Sequence, residues 1–435
     1  MRRPPARSWW PSIIEPVTDL VTRVAPPRAP ALRRAAPALL GYVAVRALGL
    51  AVLAAWTAVR GKSAYTLLTA RWDALWYTRV AELGYGYEVR LPNGDVHSNL
   101  AFFPLLPWLE RLLHALTPLS YAGAGFCVSL VSSLAAAWGI FAVAERVCGR
   151  GAAVYAVLLW AVLPVGIVQS MAYSESLFTA LAAWALYAVL TGRWPAAGAL
   201  AALAGLTRPV GIAVVAAVWV AGIVSFVRRR SAPDPHGARA GERAPAPVHE
   251  ARAERVGSPD GAPDMPRAPA VLSVALGMFL APLGASGYVL WVGHRTGKGP
   301  LGYLDVQAGW RNGFDGGAAF ARFVADRFQS VPGAFAGAAI VIGVALVLWL
   351  YAVCVRQRQP LPLLVYAGVV AALALCASSY FGSKPRLLLP AFPLLLPLAR
   401  ALSRSRTSRS VLVVAGAAVL SAAYGAFWLN GTGPP

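Results

Sequence analysis

Few side chains in this sequence could do acid–base or anion chemistry, and most of them stand at the edges of apolar stretches. Asp73 lies in the run from Tyr65 to Gly84, where Leu68, Trp72, Leu75, Trp76, Val80 and Leu83 return at helical spacing. Such a run suits a helix lying in a membrane interface. Asp73 falls at the border of its apolar face, with Thr69 and Tyr77 four residues to either side on one strip. A second carboxylate, Glu175, follows Tyr173 and Ser174 at the tip between two apolar stretches. There it could bind hydroxyl groups or pair with a cation, and Ser174 followed by Glu175 is equally good chemistry for starting a helix.

The cations that matter are those the membrane does not explain. Lys384 and Arg386 flank Pro385 at a short turn, and Arg208 precedes Pro209 inside an apolar stretch. The pair could serve an anion or reach lipid headgroups. Arg208 could do the same or partner carbonyls freed by a helix break. Asp305, Gln307 and Trp310 set an amide beside an aromatic ring, a usual grip for a sugar or lipid head, although interfacial anchoring accounts for Trp310 equally well. The histidines, His97, His114, His236, His249 and His294, show no spacing that builds a metal site. Cys127, Cys148, Cys354 and Cys376 read as small hydrophobes.

Positioning these groups requires a membrane scaffold. The 435 residues are 58% hydrophobic and 13% charged, which excludes an ordinary soluble protein. Apolar runs of about 20 residues recur near 36–58, 119–144, 152–170, 175–191, 196–227, 270–291, 334–355, 362–379, 386–400 and 410–429. The net charge of +21 is spread over short loops rather than gathered on a basic domain, so a nucleic-acid partner is not expected. The arginines read instead as topology markers. Arg23, Arg33 and Arg34 precede the first run and place the N-terminus in the cytoplasm, with Arg146, Arg193, Arg356 and Arg400 on the same side. Counting between these markers works only if 196–227 is a hairpin broken near Arg208-Pro209.

The expectation is an all-α polytopic integral membrane protein of the cell membrane with about 11 transmembrane segments. A cytoplasmic tail (1–35) leads into an N-terminal membrane region (36–227) that carries a long outer loop (59–118) with interfacial helices. Residues 228–269 are rich in Ala, Pro, Arg, Glu and Asp and read as a disordered cytoplasmic linker. A C-terminal membrane region (270–435) carries a second outer loop, 292–333. This topology puts Asp73, Glu175, Lys384 and Arg386 on the outer side together. The first apolar run is long enough to remain as an anchor, so no removable signal peptide is expected.

Arg71-Trp72-Asp73-Ala74-Leu75-Trp76-Tyr77, then Gly84-Tyr85 and Phe102-Phe103-Pro104-Leu105-Leu106-Pro107, resemble the class V phosphatidylinositol-glycan mannosyltransferases and their bacterial relatives, within the class C glycosyltransferases. Tyr173-Ser174-Glu175-Ser176-Leu177-Phe178, Thr207-Arg208-Pro209 and Lys384-Pro385-Arg386 extend the match over most of the membrane region. The resemblance implies a polytopic glycosyltransferase that takes a sugar, usually mannose, from a polyprenyl phosphate and gives it to an acceptor hydroxyl on the outer face. It maps the catalytic base onto Asp73. A lone carboxylate suits an inverting displacement, since it need only receive the acceptor's proton as the new bond forms. The phosphate that leaves needs cations, for which Lys384, Arg386 and Arg208 are candidates. Arg71, Tyr77, Tyr173, Glu175, Gln307 and Trp310 complete the expected substrate contacts.

The implied partners are a lipid-linked sugar donor, a lipid, glycan or protein acceptor, and membrane lipids. No cofactor is implied, and a divalent metal stays open. The polar insert Val89–Ser98 departs from the compact loop of the eukaryotic enzymes, leaving the acceptor open. A composition rich in Ala, Arg, Gly and Pro suggests a high-GC bacterium, where glycosylphosphatidylinositol is not the expected product. Two other classes fit the same features. A transporter or flippase of lipid-linked saccharides would show ionisable residues along a path through its spans and, in many folds, two related halves; no internal repeat is evident here. A non-catalytic assembly or polymerase partner with the same fold is the third.

Overall fold

The computed structural model describes residues 31–231, 267–378, 380–431 and 433. Most of the expected tail and linker lie outside the described residues, and helices extend to Ser231 and resume at Arg267, inside the range assigned to the linker. The chain is built almost wholly of helices. The first part contains α1 (Ala31–Val59), α2 (Ala64–Thr69), α3 (Asp73–Leu83), α4 (Leu105–Leu116), α5 (Tyr121–Cys148) and α6 (Arg150–Ala161). Then come α7 (Ser174–Leu190), α8 (Trp194–Gly205), α9 (Ile212–Ser231), α10 (Arg267–Leu280), α11 (Leu283–Thr296) and α12 (Gly302–Gly309). The last part has α13 (Ala318–Arg327), α14 (Val331–Arg356), α15 (Leu361–Cys376), α16 (Lys384–Leu387), α17 (Leu396–Arg404) and α18 (Thr407–Asn430).

Among the described residues six helical segments are long and apolar enough to cross a membrane, or seven if the pair Phe381–Leu387 and Phe392–Arg404, bent by 73°, counts as one span. The expected number of about 11 also took in α6, α7, α8 and α15, helices of 12 to 17 residues. At 1.5 Å per residue a 12-residue helix covers only about 18 Å of a hydrocarbon core of about 30 Å. Lipid-facing apolar side chains such as Ile342, Leu348 and Trp349 of α14 are exposed, as expected where the solvent is hydrocarbon.

The hairpin expected at Arg208-Pro209 is present. α8 ends at Gly205, a 3-10 turn runs Pro209–Gly211, and α9 follows. A Cβ on Gly211 would stand 2.6 Å from the Cα of Gly205, so only glycine permits so tight a reversal. Small residues also let neighbouring backbones touch. A Cβ on Gly198 of α8 would be 2.3 Å from the carbonyl oxygen of Gly277 in α10.

Three of the described arginines used as topology markers gather at one end. Arg400 reaches the Val147 carbonyl (2.9 Å) and Gln357 (3.2 Å), Arg146 reaches Leu190 (3.3 Å), and Arg34 pairs with Glu145 at 3.4 Å. Asp73, Glu175, Arg208 and Arg386 meet elsewhere, at the loop end of the bundle, where the Leu105 amide also donates to the Leu206 carbonyl.

The polar insert is a β-hairpin. Strand β1 (Glu88–Arg90) pairs antiparallel with β2 (Val96–Ser98) around Asn93-Gly94, and Gly94 has φ +87°. It docks on the second long loop. Arg311 pairs with Asp95 at 2.6 Å, His97 stacks on Trp310 at 4.0 Å, and the Trp310 indole donates to the Ser98 carbonyl at 2.9 Å. A second, two-residue pair joins Gly313–Phe314 (β3) to Ala377–Ser378 (β4).

One charge within a span escaped the sequence reading. Arg46, in the middle of α1, is 7% exposed and donates to the carbonyls of Ala161 and Gly166. The Ala161 carbonyl ends α6 three residues before Pro164, which has no amide proton, and the Gly166 carbonyl opens the 3-10 turn Gly166–Ser170; the guanidinium gives both a charged donor where lipid offers none.

Candidate active site

The run from Tyr65 to Gly84 does not form one helix. It breaks between α2 and α3 at Trp72, whose φ of +50° and ψ of −124° lie outside the regions non-glycine residues ordinarily adopt. Thr69 therefore does not share a strip with Asp73, and its hydroxyl instead donates to the Tyr65 carbonyl at 2.8 Å. The break makes Asp73 the first residue of α3. There the positive end of the helix dipole favours a carboxylate, and strain of this kind persists only where surrounding packing enforces it.

Four charged side chains from four distant parts of the chain form a row. Arg386 Nη2 lies 2.9 Å from Asp73 Oδ2, and Arg386 Nε lies 3.2 Å from Glu175 Oε1. Arg208 forms an ion pair with the same Glu175 oxygen. The row reads Asp73, Arg386, Glu175, Arg208, two negative and two positive, so the charges are buried in compensation rather than singly. Its members differ in access. The Glu175 side chain is 1% exposed and that of Arg386 9%, whereas Asp73 is 28% exposed. Asp73 is thus the end of the row that a substrate could reach.

The surroundings hold the row in place. Arg386 lies over the Tyr173 ring at 5.0 Å. The Tyr77 hydroxyl shares a 2.7 Å hydrogen bond with Ser174 Oγ, next to Glu175, and burial pushes the Tyr77 phenol well above its usual range, leaving it a neutral hydrogen-bonding group. Tyr77 also meets Phe102 edge-on at 5.1 Å, and Phe102 lies within 5.6 Å of both Trp76 and Trp310. The two long loops therefore share an aromatic floor beside Asp73.

The other expected contacts fall elsewhere. Lys384 and Arg386 do not act as a pair. They belong to one helical turn, where positions two apart point about 200° away from each other. Lys384 donates to the Ala377 carbonyl and lies over Phe320 and Phe381 at 5.1 and 5.6 Å. Arg71 turns from Asp73 toward the end of α18, donating to the Leu429 carbonyl at 3.1 Å with its guanidinium 4.0 Å from the Trp72 ring. Gln307 is occupied within its own loop by Tyr303 and Asn312. Glu175, expected to meet substrate, is enclosed between two arginines instead. Among the described residues no three His, Cys, Asp or Glu side chains gather in a way that could hold a metal ion.

Glu110 of α4 was not foreseen. It is fully buried against Gly125 of α5, and desolvation pushes its carboxyl well above the usual range. A charged residue on the apolar-rich helix Leu105–Leu116 was the only available signal.

Residues 99–238, about a third of the chain, match the family model described as dolichyl-phosphate-mannose-protein mannosyltransferase. The matched segment includes Tyr173, Glu175 and Arg208 and leaves out Asp73 and Arg386. A search of the curated proteins found no match. Among solved structures, ArnT from Cupriavidus metallidurans bound to undecaprenyl phosphate aligns at a TM-score of 0.48 and 17% identity over 86% of this chain. The archaeal oligosaccharyltransferase AglB from Archaeoglobus fulgidus, in complex with an inhibitory peptide and a dolichol-phosphate, aligns at 0.42 and 12% over 91%. The chain covers 62% of the first protein and 56% of the second.

Proposed function

We propose that this chain is a membrane glycosyltransferase that moves a sugar from a polyprenyl-phosphate donor to an acceptor hydroxyl at the non-cytoplasmic face, with mannose as the sugar. The observation that carries the reading is the row Asp73, Arg386, Glu175, Arg208, which joins three of the motif segments to an accessible carboxylate. The family match over residues 99–238 supports the coarser part, a membrane glycosyltransferase with a lipid-linked donor; mannose is the finer part, favoured by the motifs and by the description of the matching family.

In this reading Asp73 takes the acceptor's proton while the acceptor oxygen bonds to the anomeric carbon. The bond from that carbon to the phosphate oxygen breaks, and its electron pair leaves with the polyprenyl phosphate. Arg386, backed by Arg208 through Glu175, holds the charge that develops there. Lys384 has no part in this proposal, because its partners are the Ala377 carbonyl and two rings. In this reading the aromatic floor of Trp76, Phe102 and Trp310 carries the sugar or acceptor. A lipid carrier would use charges along a path through the spans, and the mid-span charge Arg46 is instead bound to two carbonyls.

The test is transfer of label from radiolabelled polyprenyl-phosphate-mannose in membranes with and without the chain, with products separated by solubility. Label that passes to a new product only when the chain is present supports the reading and identifies the acceptor class. Label that changes leaflet without forming a product favours a lipid carrier.

A further inference from the structure

This inference rests on the proposed role of Arg386 as a holder of the donor's phosphate. In the structure Arg386 is already engaged, and its two carboxylates are held very differently. Glu175 is 1% exposed and secured by a second arginine, Arg208, whereas Asp73 is 28% exposed at the start of α3. Anything that enters the site from the open side meets the contact between Nη2 and Asp73 before the contact between Nε and Glu175. Breaking the first leaves a carboxylate that water or an acceptor can solvate. Breaking the second would take Arg386 from a carboxylate enclosed in the interior, where water cannot take its place.

The geometry points to an exchange of partners. In the structure Arg386 masks Asp73. The donor's phosphate then takes the place of Asp73 on Nη2, while Glu175 keeps the guanidinium in position through Nε. Asp73, relieved of its cation, becomes available for the acceptor's proton. No covalent bond changes in this step; one ion pair replaces another. Glu175 is thereby a positioning residue, and donor binding precedes arming of the base.

The exchange makes Asp73 a competitor of the phosphate, so removing its charge should improve binding while abolishing transfer. The experiment measures the affinity of the purified full chain for radiolabelled polyprenyl phosphate carrying no sugar. Asp73→Asn is expected to bind about two- to fivefold more tightly than the native chain, the range for one partly exposed ion pair. Asp73→Ala should do the same, and Asp73→Glu, which keeps the charge, should stay near the native value. Glu175→Gln should weaken binding, and Glu175→Asp should restore part of it. Unchanged or weaker binding by both neutral Asp73 variants, with each chain monodisperse, overturns the exchange. If Arg386→Gln binds as well as the native chain, the phosphate role of Arg386 itself fails, an outcome distinct from failure of the exchange.

Discussion

Arg46 and Arg386 are equally buried, each 7% exposed, and they keep opposite company. Arg46 lies deep in α1 and gives its protons to two carbonyls at a helix end. Arg386 lies at the loop end of the bundle and is shared between two carboxylates, one closed in and one accessible. Burial and charge are the same in both, so neither indicates function. The partners do: carbonyls that cannot leave make Arg46 a fastener, while a carboxylate that solvent can receive makes Arg386 exchangeable.

The comparison is most sharply tested at the arginines themselves. Arg386→Gln should lower sugar transfer per folded molecule by about 10²-fold or more, because a preorganised cation at the leaving phosphate is lost. Arg46→Met should do the reverse. It takes a charged donor from two buried carbonyls, at about 1–3 kcal/mol in all, and should lower the thermal midpoint and extraction yield while activity per folded molecule holds. If Arg46→Met lost transfer in a fully stable protein, the division between fastener and site would collapse.

A smaller effect is expected at Glu110. Its carboxyl is raised by burial, so the folded state retains a proton that the unfolded chain releases at lower pH. Stability from this group is present below the usual Glu range and is lost as pH rises toward the folded value. Glu110→Gln should remove that dependence, making the thermal midpoint less sensitive to rising pH; an unchanged slope would show that Glu110 is not the responsible group. The smallest effect belongs to Arg311→Gln. Its pair with Asp95 is 68% exposed on the arginine side, and its loss should shift stability by well under about 1 kcal/mol in thermal unfolding.

Much of the scaffold was legible because hydrocarbon imposes strong rules. Apolar length located the helices, and the arginines of the short loops identified an end of the bundle that does gather in the structure. The reversal at Arg208 was legible because counting demanded it and proline with glycine allows it. The loop hairpin had a signal, Asn93-Gly94 between extended residues, that the reading as a polar insert passed over. The partners of Arg46 had none, since they lie 115 and 120 residues away. Within the site, sequence placed Asp73, Glu175 and Arg386 on one side but not in one row. Lys384 and Arg386 looked equivalent as neighbours, and only the helical turn that carries them sends them to different surroundings. Arg71 and Gln307 were drawn toward backbone and loop partners that spacing does not reveal.

The account depends most on Asp73 as the group that accepts the acceptor's proton. The direct measurement is the rate of sugar transfer from labelled polyprenyl-phosphate-mannose by folded, membrane-inserted native chain and Asp73→Asn. The predicted result is a loss of about 10²-fold or more, the usual contribution of a general base. Transfer by Asp73→Asn at near the native rate would contradict the account.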